Sequence, residues 1–188
     1  RTPPDYRQEQ VGMVLDEMAV LTARGLLEEA IVRGAQFQAS FEPSAELCYE
    51  MGLASRLLDR PSDALEYYER TLELEPLHAA ARYDRGEILL DLGDVAGAKE
   101  DFRIAAEQVP EHWVVHYRLA HIAAEEENLP ELEFHLDNSV ENGLDFQVLE
   151  ADVSWRNWAR DEAIGPVLRR VVLRYSTEAM WIRLGGEL

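Results

Sequence analysis

A spacing of 34 residues runs through this chain in a single phase. Alanine stands at Ala30, Ala64 and Ala98, glycine at Gly52 and Gly86, and a large aromatic at Tyr68 and Phe102. Thr71 and Ala105 continue the lattice, and Pro76 and Pro110 close each unit. Residue types with such different physical uses share one period when a single supersecondary unit is stacked on copies of itself, each too small to bury its apolar face alone. Within a unit the apolar residues recur at helical spacing twice. Leu47, Met51, Ala54 and Leu58 form one stripe, Arg60-Pro61-Ser62 interrupts it, and Ser62 is placed to cap a second helix carrying Leu65, Tyr68, Leu72 and Leu74. The next unit runs through Tyr83, Ile88 and Leu92, turns at Gly93-Asp94 and continues along Ala98, Phe102 and Ala105 to Pro110. Small residues let two helices cross closely, and a ring fills the space behind them.

Composition then removes whole classes of function. The 188 residues hold 18 basic against 37 acidic side chains, a net charge of −19. A nucleic-acid protein needs a cationic stripe to displace counterions, so nucleic acid is excluded as a partner, and anionic membrane surfaces are disfavoured on the same ground. No apolar run approaches the ~18 residues that cross a bilayer. The single cysteine, Cys48, cannot form an internal disulfide and reads as a buried small hydrophobe. Cytoplasm is the default compartment, although a removed signal segment would leave no trace.

The lattice resembles the tetratricopeptide repeat family, whose pattern places glycine eighth, alanine twentieth, an aromatic twenty-fourth, alanine twenty-seventh and proline thirty-second. Residues 79–112 match with Gly86, Ala98, Phe102, Ala105 and Pro110; residues 45–78 match with Gly52, Ala64, Tyr68 and Pro76, with Thr71 in place of the second alanine. Residues 113–146 keep the rhythm but carry Ala120 for the glycine, Leu132 for the alanine, and Gly143 rather than proline at the end. Residues 6–43 form a degenerate pair, with Met18 in the glycine position. The resemblance implies an all-α fold: a right-handed superhelical array of about four antiparallel helix pairs. Residues 1–5 read as a disordered leader. Residues 147–188 read as a divergent cap and tail, with Trp155 and Trp158 on one face of a short turn and one longer helix along Ile164, Val167, Leu168 and Val171. Trp181 and Ile182, near the end, are candidates for docking a second copy or a domain outside this sequence.

The resemblance also implies a function: binding an extended peptide, a helix or a partner domain on a concave face lined by the first helix of each pair. The second, fifth, ninth and twelfth positions there are Glu46, Tyr49, Leu53 and Arg56, then Ala80, Tyr83, Glu87 and Leu90, then Val114, Tyr117, His121 and Ala124. From these, Tyr49, Leu53, Arg56, Tyr83, Glu87, Leu90, Tyr117 and His121 are the candidate partner-binding residues. The three tyrosines, 34 apart, have two compatible roles, bracing adjacent first helices or contacting a ligand. A basic or amphipathic partner segment suits the net charge, which also serves solubility. Some family members clamp chaperone C-terminal carboxylates with groove lysines; the one lysine here, Lys99, is on a second helix, and Glu46, Glu50, Asp84 and Glu87 would repel a carboxylate.

No catalytic constellation stands out, so the chain is not expected to be an enzyme. His112 and His116 have a zinc-compatible spacing but no third ligand, and neither a metal nor a cofactor is implied. Two further readings stay open: a self-assembling homo-oligomeric module, and the regulatory segment of a longer enzyme.

Overall fold

The computed structural model describes residues 4–187, which form twelve α-helices and no strand. The chain is all-α, and it divides into two compact units meeting at Asp94 and Val95. The first unit holds α1 (Pro4–Ala23), α2 (Leu27–Ser40), α3 (Ala45–Leu57), α4 (Pro61–Leu74) and α5 (Ala79–Asp91). The second holds α6 (Val95–Gln108), α7 (Trp113–Glu125), α8 (Leu129–Glu141), α9 (Phe146–Ala151), α10 (Val153–Trp158), α11 (Ile164–Tyr175) and α12 (Glu178–Leu184). Of the expected leader, residues 1–3 lie outside the described residues, and Pro4 and Asp5 begin α1.

A feature of the backbone repeats with the same period as the side chains. Each tight helix-to-helix turn places one residue in the left-handed region: Gly25 (φ 75), Asp59 (φ 57), Gly93 (φ 83) and Glu127 (φ 53), each 34 from the last. The following N–H reaches back across the helix end every time. Leu26 donates to Leu21, Arg60 to Ser55, Asp94 to Leu89 and Asn128 to Ala123, at 2.8 to 3.0 Å. This is the six-to-one bond that satisfies orphan carbonyls at a helix end. Ser62 does not cap α4. Pro61 takes the first helical position and Arg60 precedes it, because proline has no N–H to lose there and its fixed φ already suits a helix.

The first helix of a pair packs on the second through the glycine and the ring. In the first unit, a Cβ at Gly52 would sit 2.5 Å from Tyr68 Cε1, so only glycine lets the fully buried Tyr68 lie across α3. Tyr68 then joins Ala64, Leu72, Ala81 and Ile88 in one buried cluster. A second cluster, Val14, Met18, Ala30, Phe37, Leu47, Cys48 and Met51, ties α1 and α2 to α3. Thr71, found where alanine would be, donates its hydroxyl to Tyr67 O at 2.9 Å and lies 3.4 Å from Ala45 O. In the second unit Ser139, two periods later, donates to Trp113 O at 2.6 Å. A hydroxyl at this position thus fastens the second helix to the first residue of its partner.

The second unit ends in four helices rather than one short turn and one longer helix. Trp155, Leu149, Leu168, Val171, Val172 and Leu184 are buried with Leu132 and Leu136 of α8 in one core. Solvent-screened ion pairs run from α11 to α8, Arg170 to Glu133 at 2.6 Å and Arg174 to Glu133 and Asp137. Trp181 is not a docking residue. It is 3% exposed and its indole N–H donates to Glu187 O at 2.8 Å, whereas Ile182 is half exposed. Among the described residues no helix is long and apolar enough to cross a membrane.

Candidate functional site

In the first unit six of the eight candidate residues lie on two first helices, Tyr49, Leu53 and Arg56 on α3 and Tyr83, Glu87 and Leu90 on α5. Arg56 is exposed and the other five are half-buried. Tyr49 and Arg56 converge on a residue that sequence reasoning named only as part of a repelling wall. The Tyr49 hydroxyl donates to Asp84 Oδ2 at 2.9 Å, and Arg56 Nη2 lies 3.5 Å from Asp84 Oδ1. Asp84 is 5% exposed. Burial pushes its carboxyl up, while the Tyr49 bond and the Arg56 guanidinium pull it back. Burial and the adjacent Asp84 charge in turn push the Tyr49 phenol far above its ordinary value. With its ring 4.8 Å from His78 and 5.9 Å from Tyr68, Tyr49 braces α3 against α5.

Arg56 and Glu87 also share a cleft of about 270 Å³, lined with Asp59, Pro61, Ile88, Asp91 and Leu92. Three carboxylates and one guanidinium around an apolar floor favour a cationic or amphipathic side chain over an anionic one.

In the second unit Tyr117 and His121 lie on α7. Tyr117 is buried, and its hydroxyl is a relay: it donates to Asp152 Oδ2 at 2.9 Å and accepts from Trp155 Nε1 at 3.0 Å. Burial and the Asp152 bond push its phenol up to about 12. Asp152 also accepts from the Ser154 N–H at 2.8 Å, which caps α10. His121 is half-buried between Glu125, 3.5 Å from Nδ1, and Asp152, 3.9 Å from Nε2. Trp158 meets its ring edge-on at 4.8 Å, and the fully buried Trp155 stands at 6.0 Å. Burial lowers the imidazole below its ordinary value.

Sequence reasoning missed Asp84 and Asp152 as partners of the tyrosines, although a signal existed: each aspartate follows its tyrosine by 35 residues, one period plus one. It also missed the pair His116 and His135. Their Nδ1 atoms are 3.0 Å apart, and His116 Nε2 lies 3.2 Å from Pro110 O. A carbonyl only accepts, so His116 carries its proton on Nε2, and His135 must be the donor between the rings. Burial lowers both, and the neighbouring His116 helps take His135 down to about 4. Among the described residues no three of His, Cys, Asp and Glu gather to hold a metal ion. Charge is unevenly spread: residues 147–188 hold six arginines and six acidic residues, so residues 1–146 carry the whole −19.

Comparison with known proteins bears on the repeats and on the fold. A tetratricopeptide repeat profile matches residues 49–108 and 89–131. Two relatives, each described as a probable biofilm formation methyltransferase WspC, come from Pseudomonas putida KT2440 and Pseudomonas aeruginosa PAO1. The first is 30% identical over 95 residues, 50% of this chain and 22% of the relative; the second is 36% identical over 84 residues, 45% and 20%. The matches thus span about a fifth of the length of these relatives. Among solved structures, MamA from Desulfovibrio magneticus RS-1 superposes with a TM-score of 0.69 at 19% identity, over 86% of this chain and 93% of that one. YrrB, described as a TPR protein with an unusual peptide-binding site, gives 0.60 at 24% identity, over 72% and 70%. These structural likenesses speak to fold.

Proposed function

The chain is a tetratricopeptide repeat protein, and we propose that it is a non-catalytic interaction module that holds a peptide, helix or partner domain against the first helices of its pairs. The observation that carries this reading is the row on α3 and α5. Leu53, Tyr83 and Leu90 remain half-buried beside Arg56 and Glu87, on helices that the Tyr49–Asp84 bond ties together. Part-exposed apolar and aromatic side chains mixed with charge, on a preorganised scaffold, are what partner recognition uses. The acidic lining of the cleft at Asp59, Glu87 and Asp91 favours a basic or amphipathic segment.

The test places a photo-crosslinking amino acid at Leu53 or Leu90 and, as controls, at the exposed Glu66 or Glu69 of the second helix α4, in the source cells. Adducts formed from positions 53 and 90 and not from 66 and 69 support the reading. Adducts from the second-helix positions alone refute it, and adducts with the mass of two copies of this chain redirect it to self-assembly.

A second reading draws on the WspC relatives. Their names describe methyltransferases, and the matched stretch is about a fifth of their length. On this reading the repeats are the recognition or regulatory part of a longer methyltransferase. The reading frame that encodes residues 1–188 tests it: a methyltransferase domain in the same polypeptide supports it, and a frame without one removes it.

A further inference from the structure

The brace at Tyr49 and Asp84 recurs at Tyr117 and Asp152, two periods later, with the same 2.9 Å bond from hydroxyl to Oδ2. Its charge balance is different. In the first unit the aspartate is faced by a guanidinium from its own chain, Arg56, and its side chain is 8% exposed. Two periods after Arg56 the residue is Ala124, buried at 1% exposure. Two periods after Leu53 it is His121. Asp152 is left 29% exposed, and among the described residues its polar partners are the Tyr117 hydroxyl, the Ser154 N–H and His121 Nε2. His121 is a weaker counterpart than the arginine: burial, with Arg118 nearby, lowers its pKa against the opposite pull of Glu125 and Asp152. Glu125, whose side chain is 52% exposed, adds a second carboxylate on the other side of the ring. Half-buried Trp158 supplies an indole wall 4.8 Å from the imidazole.

Two partly exposed carboxylates beside an indole make an environment complementary to a cation. We propose that the patch formed by His121, Glu125, Asp152 and Trp158 receives an arginine or lysine side chain of the bound partner, which faces Asp152 as Arg56 faces Asp84. The patch rests on the interaction-module reading and gives it a chemistry: the segment bound there is basic, and its cation stacks on Trp158 while pairing with Glu125 and Asp152.

The experiment is an NMR titration of the full 15N-labelled chain with Nα-acetyl-arginine amide at millimolar concentrations, reading the Trp158 indole N–H and the His121 ring. The neutral isostere Nα-acetyl-citrulline amide and the anionic Nα-acetyl-glutamate amide are run in parallel. Saturable shifts at Trp158 and His121 with the arginine probe alone are expected. Glu125→Gln and Asp152→Asn should each weaken the probe at least about fivefold, and Glu69→Gln on the exposed face of α4 should leave it unchanged. Asparagine still caps a helix and accepts from Tyr117, and Glu125 is exposed, so neither change needs to cost the fold. Absence of a saturable Trp158 shift, equal shifts with citrulline, or shifts with the glutamate probe instead would each overturn the proposal. A positive titration with no crosslinks at positions 53 and 90 keeps the cation patch and removes the wider function. The reverse result removes the patch alone.

Discussion

Replacing Gly52 with alanine should destabilise the first unit, against the usual preference of helices for alanine. A methyl group at that position would lie 2.5 Å from Cε1, 2.7 Å from Cδ1 and 3.2 Å from Cζ of Tyr68. Carbon atoms in contact rest about 3.5–4.0 Å apart, so the ring must retreat by roughly 1 Å. It has nowhere to go, being fully buried among Ala64, Leu72, Ala81 and Ile88. Overpacking of this kind costs ~1–3 kcal/mol, and a displacement this large belongs at the upper end. Alanine returns about 1 kcal/mol through helix propensity. The net expectation is a loss of about 2 kcal/mol, read as a lower urea midpoint by far-UV circular dichroism. Gly34→Ala is the control. There the new methyl group would approach Met18 Sδ at 3.0 Å and Met51 Sδ and Cγ at 3.0 and 3.1 Å, all in unbranched chains that can swing aside. That variant should be neutral or more stable by up to ~1 kcal/mol. Adding Tyr68→Leu to Gly52→Ala should expose a coupling of at least ~1 kcal/mol, because the leucine removes the colliding atoms. A Gly52→Ala protein as stable as the wild type, or less perturbed than Gly34→Ala, refutes the argument that the ring excludes every side chain here.

Three further outcomes follow from the same geometry. Tyr49→Phe deletes one hydroxyl bond to a buried carboxylate and should cost ~1–3 kcal/mol, while Tyr117→Phe deletes a donor to Asp152 and the acceptor of the buried Trp155 N–H and should cost more; paired urea melts decide the order. His135 has a folded pKa lowered to about 4, so the unfolded chain takes up its proton first. The pair's contribution is then full above about pH 6.5 and is lost as pH falls toward 4. The shift corresponds to at most ~3 kcal/mol, and partial solvent access reduces it to ~1–2 kcal/mol; His135→Gln should flatten stability between pH 7 and pH 4.5 by that amount relative to wild type. Glu127 occupies a left-handed turn conformation (φ 53) where its 34-residue counterparts include Gly25 and Gly93, so Glu127→Gly should raise stability by up to ~1 kcal/mol in thermal melts, and an unchanged or lower melting temperature would count against the strain.

The repeat region was legible because its packing depends on residues of extreme size or backbone habit. Glycine under Tyr68, fully buried Ala64 and Ala98, and proline at the end of a unit each fill a geometric need that few other residues meet, so they stand out at a fixed spacing. The lattice carries the helix starts too: α3, α5 and α7 open at Ala45, Ala79 and Trp113. The last 42 residues gave much less away. Trp155, Leu168, Val171 and Trp181 are buried against one another and against α8, an arrangement with no period to read. Trp181 in particular finds cover in a backbone carbonyl six residues on, which no local pattern announces. Among the candidate residues, the side chains were readable as a row, but their partners were not. A hydroxyl on one first helix and a carboxylate 35 residues later belong together only once the stacking of two helices is known, and His135 meets His116 only through the packing of α7 on α8.

That division suggests where specificity resides in a repeat protein of this kind. Across residues 45–112 the positions that stack the helices hold nearly the same residue twice, a glycine, an alanine and a ring, and the left-handed turn recurs at every 34-residue step from Gly25 to Glu127. The positions beside the brace do not repeat in this way. Along one lattice row the chain places Glu50, Asp84, Arg118 and Asp152; along another it places Arg56, Leu90 and Ala124. The tyrosine–aspartate bond is 2.9 Å both where the lattice carries Arg56 and where it carries Ala124, but only in the first case does the arginine of that row stand against the aspartate. A scaffold that fixes a carboxylate rigidly and then withholds its cation is preorganised for one, since the ordering cost has been met in folding and only the incoming side chain remains to be immobilised. The repeat supplies the geometry, and its departures from itself supply the chemistry.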